Sequence, residues 1–168
     1  MLILKDVVSC RKCEIDIDYY VPFTINIENE EKYKKKVYWR TGNLKKSLIE
    51  IAIDESSGIL RDITLTSVDK AYLLNTEIKD IEEVTSGIPV FLIDTNINNG
   101  LCDHLMDIYV YLGVEFVMVN FGEKIYPFQF IEFDRVRMGF DVDNRLVTII
   151  IMDLSSYEYN ELKESFRL

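Results

Sequence analysis

The stretch "SLIEIAIDESSGILRDITL", at positions 47–65, decides the fold class, because two alternating apolar runs are joined by a short polar turn. The runs 48–54 and 59–65 place apolar residues at every second position, as β-strands with one buried face do. The turn between them ends in Gly58, which tolerates the positive φ that hairpin loops often need. The stretch therefore predicts an antiparallel β-hairpin.

A second hairpin is predicted from "VRMGFDVDNRLVTIIIMDL", at positions 136–154. Asp54 and Asp141 each follow an apolar run, and Leu60 and Leu146 occupy matching positions in the returning runs. This correspondence suggests two pseudo-repeated halves that pack together. The alternative is that two amphipathic hairpins resemble each other by chance.

Further strands are predicted outside the two hairpins. In "CEIDIDYY", at positions 13–20, alternate residues are apolar, and Glu14, Asp16 and Asp18 form an acidic outer side. The short apolar runs "PVFLID" and "FVMVNFG" are also typical of strands. The stretch "NTEIKDIEEV" is either a short helix or a loop, with Ile78, Ile81 and Val84 as its inward-facing candidates.

The end of the chain predicts an α-helix. Ser155 precedes Glu158 by three positions, which is the capping-box pattern of a helix start. Tyr159, Leu162 and Phe166 then recur at helical spacing and form an apolar stripe that can pack on a sheet. The fold class predicted is therefore α+β and mainly β, with antiparallel sheets built from hairpins and a C-terminal helix.

The size and composition of the chain predict one globular domain, residues 1–168. Apolar residues make up 48% of the sequence, yet no run approaches the roughly 20 residues that span a bilayer. The first residues lack the features of a secretory signal, and the three cysteines are an odd number. These observations predict a cytoplasmic protein with reduced thiols and no membrane partner.

Charge is distributed unevenly along the chain. The net charge is −10, but positions 32–46 carry seven basic residues and no acidic one, whereas positions 71–123 carry nine acidic residues against Lys79 alone. A surface dominated by carboxylates repels phosphate backbones and attracts basic partners. The charge therefore argues against nucleic-acid binding and favours a basic protein partner.

The basic stretch has two interpretations. Tyr33, Tyr38 and Trp39 lie between lysines, an arrangement that could stack against and neutralise single-stranded nucleic acid. Lysines of this kind also protect an exposed edge strand from pairing with other chains. The net charge favours the second interpretation.

One set of residues could hold a metal ion. Cys10 and Cys13 are spaced C-x-x-C, and Cys102 and His104 are spaced C-x-H. Three cysteines and one histidine make an acceptable tetrahedral zinc shell. The C-x-x-C runs directly into a predicted strand, however, rather than into the tight turn of a zinc knuckle. Structural thiols with an ordinary histidine are the preferred interpretation, and no cofactor is predicted.

The sequence contains no recognisable catalytic or phosphate-binding motif. With His104 as the single histidine, any nucleophile–histidine pair must use it, and there is no G-x-S-x-G elbow. The glycine-rich phosphate loops G-x-G-x-x-G and G-x-x-x-x-G-K do not occur either. We therefore expect a protein that is not an enzyme.

Three stretches together resemble small cytoplasmic immunity proteins, which accompany bacterial polymorphic and contact-dependent toxins. They are "TGNLKKSLIEIAIDESSGILRDITLTSV", "SGIPVFLID" and "VRMGFDVDNRLVTIIIMDLS", in that order along the chain. The similarity is a pattern of hairpins without a signature motif, so it transfers no functional residues. It implies a non-catalytic inhibitor that binds a toxin domain, often a basic nuclease.

The acidic span supplies the candidate partner-binding residues. They are Glu77, Asp80, Glu82, Glu83, Asp94, Asp103 and Asp107. A solvated surface that only keeps the protein soluble is the alternative interpretation of these carboxylates. Two other functions stay open: a small metal-binding module or enzyme built on the cysteine–histidine set, and a β-rich adaptor or ligand-binding domain.

Overall fold

The computed structural model of the chain describes residues 1–9, 11–28, 35–75, 83–93, 98–123 and 125–168. Within these residues the fold is mainly β with one C-terminal helix, as the sequence patterns predicted. Its elements are β1 (Leu4–Val8), β2 (Cys13–Asp16), β3 (Phe23–Ile27), β4 (Lys36–Gly42), β5 (Leu48–Asp54), β6 (Leu60–Ser67), β7 (Ala71–Leu73), β8 (Val84–Ser86), β9 (Ile88–Phe91), β10 (Leu101–Leu105), β11 (Ile108–Leu112), β12 (Val117–Phe121), β13 (Gln129–Phe133), β14 (Val136–Phe140), β15 (Leu146–Ile151) and α1 (Ser156–Ser165).

Two five-stranded units with the same topology make up most of the fold. The first unit has the strand order β2-β3-β6-β5-β4, and the second has β11-β12-β15-β14-β13. Counted along the chain within each unit, both follow the order 1-2-5-4-3, and all neighbouring strands are antiparallel. The predicted pseudo-repeat therefore extends beyond the two hairpins to all five strands.

The central hairpins of the units also share a local irregularity. In β5–β6 the register shifts between Ala52 and Ile53, so that Arg61 is the extra residue of a β-bulge. In β14–β15 the register shifts between Gly139 and Phe140, at the matching place. A bulge bends the strand and increases its twist. The two sheets thus bend at equivalent positions.

The turns of these hairpins are closed by equivalent aspartates. The Asp54 carboxylate accepts hydrogen bonds from the amides of Ser56 and Ser57, at 3.0 and 2.8 Å. The Asp141 carboxylate likewise accepts from two amides in its turn, both at 2.9 Å. Gly58 and Asn144 have φ of 77° and 60°, a region that glycine and asparagine tolerate best.

Strands β1 and β9 each precede one unit and contact the turn of the other. The two strands pair antiparallel, with Leu4 opposite Phe91. The Leu4 amide donates to the Asn144 carbonyl at 2.9 Å, and the Phe91 amide donates to the Gly58 carbonyl at 2.8 Å. Because these contacts are reciprocal, the two units are related by a local pseudo-two-fold arrangement.

The two units share one hydrophobic core. Its buried side chains come from strands of both units and from β9. The Trp39 ring of the first unit meets Phe121 of the second edge-to-face, with ring centroids 5.7 Å apart. Phe91 packs against Phe140 at 6.2 Å. The halves therefore stabilise each other through apolar burial.

The prediction that the basic stretch forms an edge strand protected by lysines is wrong. Within the described part of this stretch, Lys36–Gly42 forms β4, which lies between β5 and β10 and is therefore not an edge strand. Trp39 is only 4% exposed, so its ring is not a platform for bases either. Strand β4 is an interior strand because β10, about 60 residues further along the chain, pairs with it. The local sequence pattern of β4 does not reveal this partner. Residues 32–34 lie outside the described residues.

Helix α1 begins where the sequence predicted. Ser155 is the N-cap, and its hydroxyl and the Glu158 carboxylate form both bonds of the capping box. Leu162 is fully buried, while Tyr159 and Phe166 are partly buried against the core. Among the described residues, no helix is long and apolar enough to cross a membrane.

The stretch from Asn75 to Val84 falls mostly outside the described residues, including Ile78 and Ile81. Val84 begins β8 and is 41% exposed, so it does not face inward as the sequence suggested. The described strands also include three parallel pairs at sheet edges, which the hairpin patterns did not predict.

Candidate partner-binding surface

Four of the seven acidic candidates, Glu77, Asp80, Glu82 and Asp94, lie outside the described residues. The other three, Glu83, Asp103 and Asp107, are all exposed. Glu83 precedes β8 at one edge of the seven-stranded sheet, whereas Asp107 precedes β11 near the opposite edge. The structure therefore does not bring Glu83 together with Asp107 on one surface.

Asp103 is engaged in an ion pair within the chain. It lies on β10 directly opposite Arg40 of β4, and the Arg40 guanidinium donates two hydrogen bonds to its carboxylate, at 2.7 and 2.9 Å. These bonds lower the pKa of Asp103 and raise the pKa of Arg40. A bidentate pair of this kind fixes both side chains, so Asp103 offers less charge to a partner than its exposure suggests.

Asp107 is paired in the same way with a lysine. The Lys70 ammonium donates to its carboxylate at 2.7 Å and lies 4.8 Å from the centre of the Tyr109 ring. The hydrogen bond to Asp107 is the main cause that raises the pKa of Lys70 to about 12. The Tyr109 hydroxyl donates to Glu123 at 3.0 Å. This cluster ties the start of β7 to β11.

The described part of the cysteine–histidine set is not assembled into one site. Cys13 lies on β2, whereas Cys102 and His104 lie on β10, and these strands form opposite edges of the six-stranded sheet with four strands between them. At about 4.8 Å per strand, the separation along the sheet is roughly 24 Å. Cys10 lies outside the described residues, within which no group of three or more metal-binding side chains occurs.

Each of these described residues has a structural role instead. Cys13 is buried and belongs to the hydrophobic core, and Cys102 packs against that core. The His104 ring stacks on Trp39 with centroids 6.1 Å apart. The Thr41 hydroxyl donates to the His104 carbonyl at 2.6 Å. These contacts anchor β10 to β4.

A second acidic surface lies at the edge of β2. Glu14, Asp16 and Asp18 are exposed, and they are followed by Tyr19 and Tyr20, which are 44% and 83% exposed. The alternation in "CEIDIDYY" predicted this acidic outer side, but nothing in the local sequence connected it with binding. Its importance depends on β2 being an edge strand, which only the tertiary structure reveals.

Helix α1 adds to this surface from the distant end of the chain. The Glu161 carboxylate accepts a hydrogen bond from the Tyr19 amide at 3.1 Å. The negative charge of Glu161 is the largest cause that raises the pKa of Tyr157, and Asp18 and Asp16 add to it. The hydroxyl of Tyr157, which is 68% exposed, therefore lies in the field of all three carboxylates. We call the set from Glu14 to Tyr20, with Tyr157 and Glu161, the β2 surface.

A groove of about 690 Å³ adjoins the β2 surface on the side of Tyr19 and Tyr20. Its walls include Lys46, Asp69 and Phe166. The Lys46 ammonium lies 3.9 Å from the Asp69 carboxylate, so the groove carries both signs of charge. The carboxylates therefore cluster on the β2 surface rather than in the groove.

The chemistry of the β2 surface suits recognition of another protein. Exposed tyrosines provide large contact areas at low entropic cost, and carboxylates attract and orient basic groups. No protein-family model matches the chain, and no curated protein shows a significant match to it. The geometry and electrostatics of the described residues are therefore the basis for a functional proposal.

Proposed function

We propose that this chain is a non-catalytic, cytoplasmic immunity protein that binds and neutralises a cognate toxin domain, with a basic nuclease as the expected target. The proposal combines the resemblance of the hairpin pattern with the acidic character of the exposed surface. No cofactor is required, because the inhibitor acts by occupying the basic surface that the toxin uses to hold phosphate.

The observation that carries the proposal is that basic residues in the first unit form ion pairs within the chain. Lys35, Lys36 and Arg40 make ion pairs with Glu55, Asp62 and Asp103. These contacts offset the positive charge of the basic stretch within the protein itself. The exposed β2 surface keeps its negative charge, and so the protein attracts basic partners rather than nucleic acid.

Charge complementarity has a kinetic consequence. Association between an acidic inhibitor and a basic toxin is accelerated by long-range attraction, and salt screens that attraction over about 10 Å at 0.1 M. We therefore expect the association rate to fall steeply as ionic strength rises. Substituting exposed carboxylates by lysine should both slow association and weaken its dependence on salt.

The test is co-expression of this chain with any toxin domain that a neighbouring gene encodes. The wild-type chain should restore growth, and the purified proteins should form a stable complex. Reversing the exposed carboxylates of the acidic span, with Glu83→Lys and Asp107→Lys combined, should reduce protection. Substituting Lys35 and Lys36 by glutamate is the matched control and should reduce it far less.

One outcome would contradict the proposal, and another would relocate the binding surface. Failure of the wild-type chain to protect, while it is expressed and folded, would remove the immunity function. Equal protection by the Glu83/Asp107 variant and the wild type would leave the function standing and place the contact with the toxin outside the acidic span.

A further inference from the structure

The outer positions beside the two five-stranded units are occupied unequally. Three of the four positions hold an additional parallel strand: β10 pairs with β4, β8 pairs with β13, and β7 pairs with β11. The fourth position, beside β2, holds no strand within the part of the chain that the structure describes. The pseudo-symmetry of the fold thus identifies one place to which the described residues supply no strand.

The register of the units gives the residue equivalence between β2 and β11. Ile25 of β3 lies opposite Ile63 and Ile15, whereas Val119 of β12 lies opposite Ile149 and Val110. Ile63 and Ile149 are themselves matched by the bulges of the central hairpins. Ile15 is therefore equivalent to Val110, Glu14 to Tyr109 and Asp16 to Tyr111.

Strand β7 shows how this position is filled in the second unit. The Val110 amide donates to the Lys70 carbonyl at 3.0 Å, and the Leu74 amide donates to the Leu112 carbonyl at 2.9 Å. By equivalence, the amide of Ile15 on β2 and the carbonyl of Ile17, one residue beyond the end of β2, are the groups that face the vacant position. An extended segment can satisfy both by adding a strand.

The side chains beside the vacant position differ from those beneath β7. In the second unit Tyr72 stacks on Tyr111 at 5.6 Å, and Lys70 lies over Tyr109. In the first unit, Asp16 is equivalent to Tyr111 and Glu14 is equivalent to Tyr109, and both carboxylates are exposed. An incoming strand therefore places its outward side chains beside carboxylates, where lysine or arginine is favoured.

The inward face of the same position is apolar. Ile15 is half-buried, and it lies between Cys13 and Ile17, which are buried. A strand that pairs with β2 would cover Ile15 with its alternate side chains, because successive residues point to opposite faces. The segment that fits is thus extended and alternates basic with apolar residues.

We propose that the open edge of β2 is the docking site for an extended, basic segment of a protein partner, which adds to the sheet as a strand parallel to β2. Tyr157 and Glu161 of α1 border one end of this site. The inference deepens the proposed function, on which it rests, by naming the contact surface and the type of toxin segment that binds there.

The experiment uses the full chain and a synthetic peptide of about seven residues in which lysine alternates with valine, a length that matches a short strand. Affinity is measured by titration, and amide hydrogen exchange is followed by NMR. We expect exchange at Ile15 to slow on binding, and the double substitution Glu14→Lys/Asp16→Lys to weaken binding by about tenfold or more. A nitroxide on the amino terminus of the peptide should broaden signals near Cys13 rather than near Asp18, because the added strand is parallel.

The matched control is Asp143→Lys combined with Glu164→Lys. Both carboxylates are exposed, neither belongs to the β2 surface, and the change in net charge is the same. This control should change the affinity less than about twofold if only long-range attraction is altered. A peptide with glutamate in place of lysine should bind the Glu14→Lys/Asp16→Lys variant better than it binds the wild type.

Several results would overturn the inference. If both double substitutions weaken peptide binding equally, the binding is non-specific charge attraction. If hydrogen exchange at the Ile15 amide does not change, strand addition is excluded. If the nitroxide broadens signals near Asp18, the parallel orientation is excluded. The toxin assay separates this inference from the proposed function. If the wild type and the Glu14→Lys/Asp16→Lys variant both protect against the toxin, the proposed function stands and the β2 site is rejected. If the peptide binds at β2 but the wild type gives no protection, the site stands and the proposed function is rejected.

Discussion

The buried Asp54 shows how a single carboxylate organises a turn. Burial alone would raise its pKa, but hydrogen bonds from the hydroxyls and amides of Ser56 and Ser57 outweigh this effect and lower the pKa to about 2. The carboxylate also lies 3.7 Å from the guanidinium of Arg61, which is only 6% exposed. The charged form of Asp54 is therefore the form that the fold stabilises.

A dependence of stability on pH follows from two such groups. The pKa of Glu158 is also lowered to about 2, mainly by hydrogen bonds from Arg135, with further bonds from Ser155 outweighing burial. Because folding lowers these pKa values from 3.8 and 4.5 to about 2, the stabilisation that they give is complete above about pH 5 and is lost as the pH falls towards 2. We expect a loss of about 2 to 3 kcal/mol from each group, measured by urea unfolding between pH 7 and pH 2.

The variants Asp54→Asn and Glu158→Gln provide the control for this prediction. Each should be less stable than the wild type at pH 7 and should lose less stability on acidification. If the slope of unfolding free energy against pH is unchanged in both variants, the pH dependence of stability does not come from Asp54 and Glu158.

Substitution of the equivalent turn aspartates should have unequal effects. Asp54→Ala removes a carboxylate from beside a buried guanidinium, and we expect it to cost about 3 to 5 kcal/mol. Asp141→Ala removes only hydrogen bonds to exposed turn amides and should cost about 1 kcal/mol. Equal losses in chemical denaturation would mean that the Asp54–Arg61 contact adds nothing to the turn.

At the scale of single elements, α1 couples the end of the chain to the sheets. The Ser155–Glu158 capping box is extended by Arg135, which donates to Glu158 and, at 3.2 Å, to the Asp153 carbonyl. Arg135 lies in the turn between β13 and β14. The beginning of the helix is therefore fixed by the second unit.

We expect three substitutions in α1 to rank by burial. Ser155→Ala removes the cap and should cost about 1 kcal/mol. Leu162→Ala creates a cavity in the core and should cost about 3 kcal/mol, whereas Phe166→Ala should cost less because Phe166 is only partly buried. Thermal unfolding followed by circular dichroism measures all three, and near-zero effects would show that the helix is not packed.

The elements also show which part of the fold the sequence predicts. The strands of both central hairpins and the start of α1 follow from alternation, turn residues and the capping box, which are properties of neighbouring residues. The interior position of β4 and the parallel edge strands do not, since their partners lie far away along the chain. The same limitation hid the β2 surface, whose acidic pattern was visible but whose position at an edge was not.

At the scale of the whole molecule, the shared core predicts cooperative unfolding. Trp39, the single tryptophan, reports on the first unit by fluorescence, and α1 reports on the second by circular dichroism. Because Trp39 packs directly against Phe121 of the second unit, we expect both signals to change at the same denaturant concentration. Midpoints that differ would show that the units unfold separately.

The reciprocal contacts of β1 and β9 have a consequence for synthesis on the ribosome. The hydrogen bond from the Leu4 amide to the Asn144 carbonyl cannot form until Asn144 is synthesised, about 140 residues later. At a translation rate of about 5 to 20 residues per second, this interval lasts roughly 7 to 30 s. During that time the first unit can form its hairpins, but the amino-terminal strand has no turn to bind. The bond between the first strand and this turn can therefore form only after the final hairpin has left the exit tunnel.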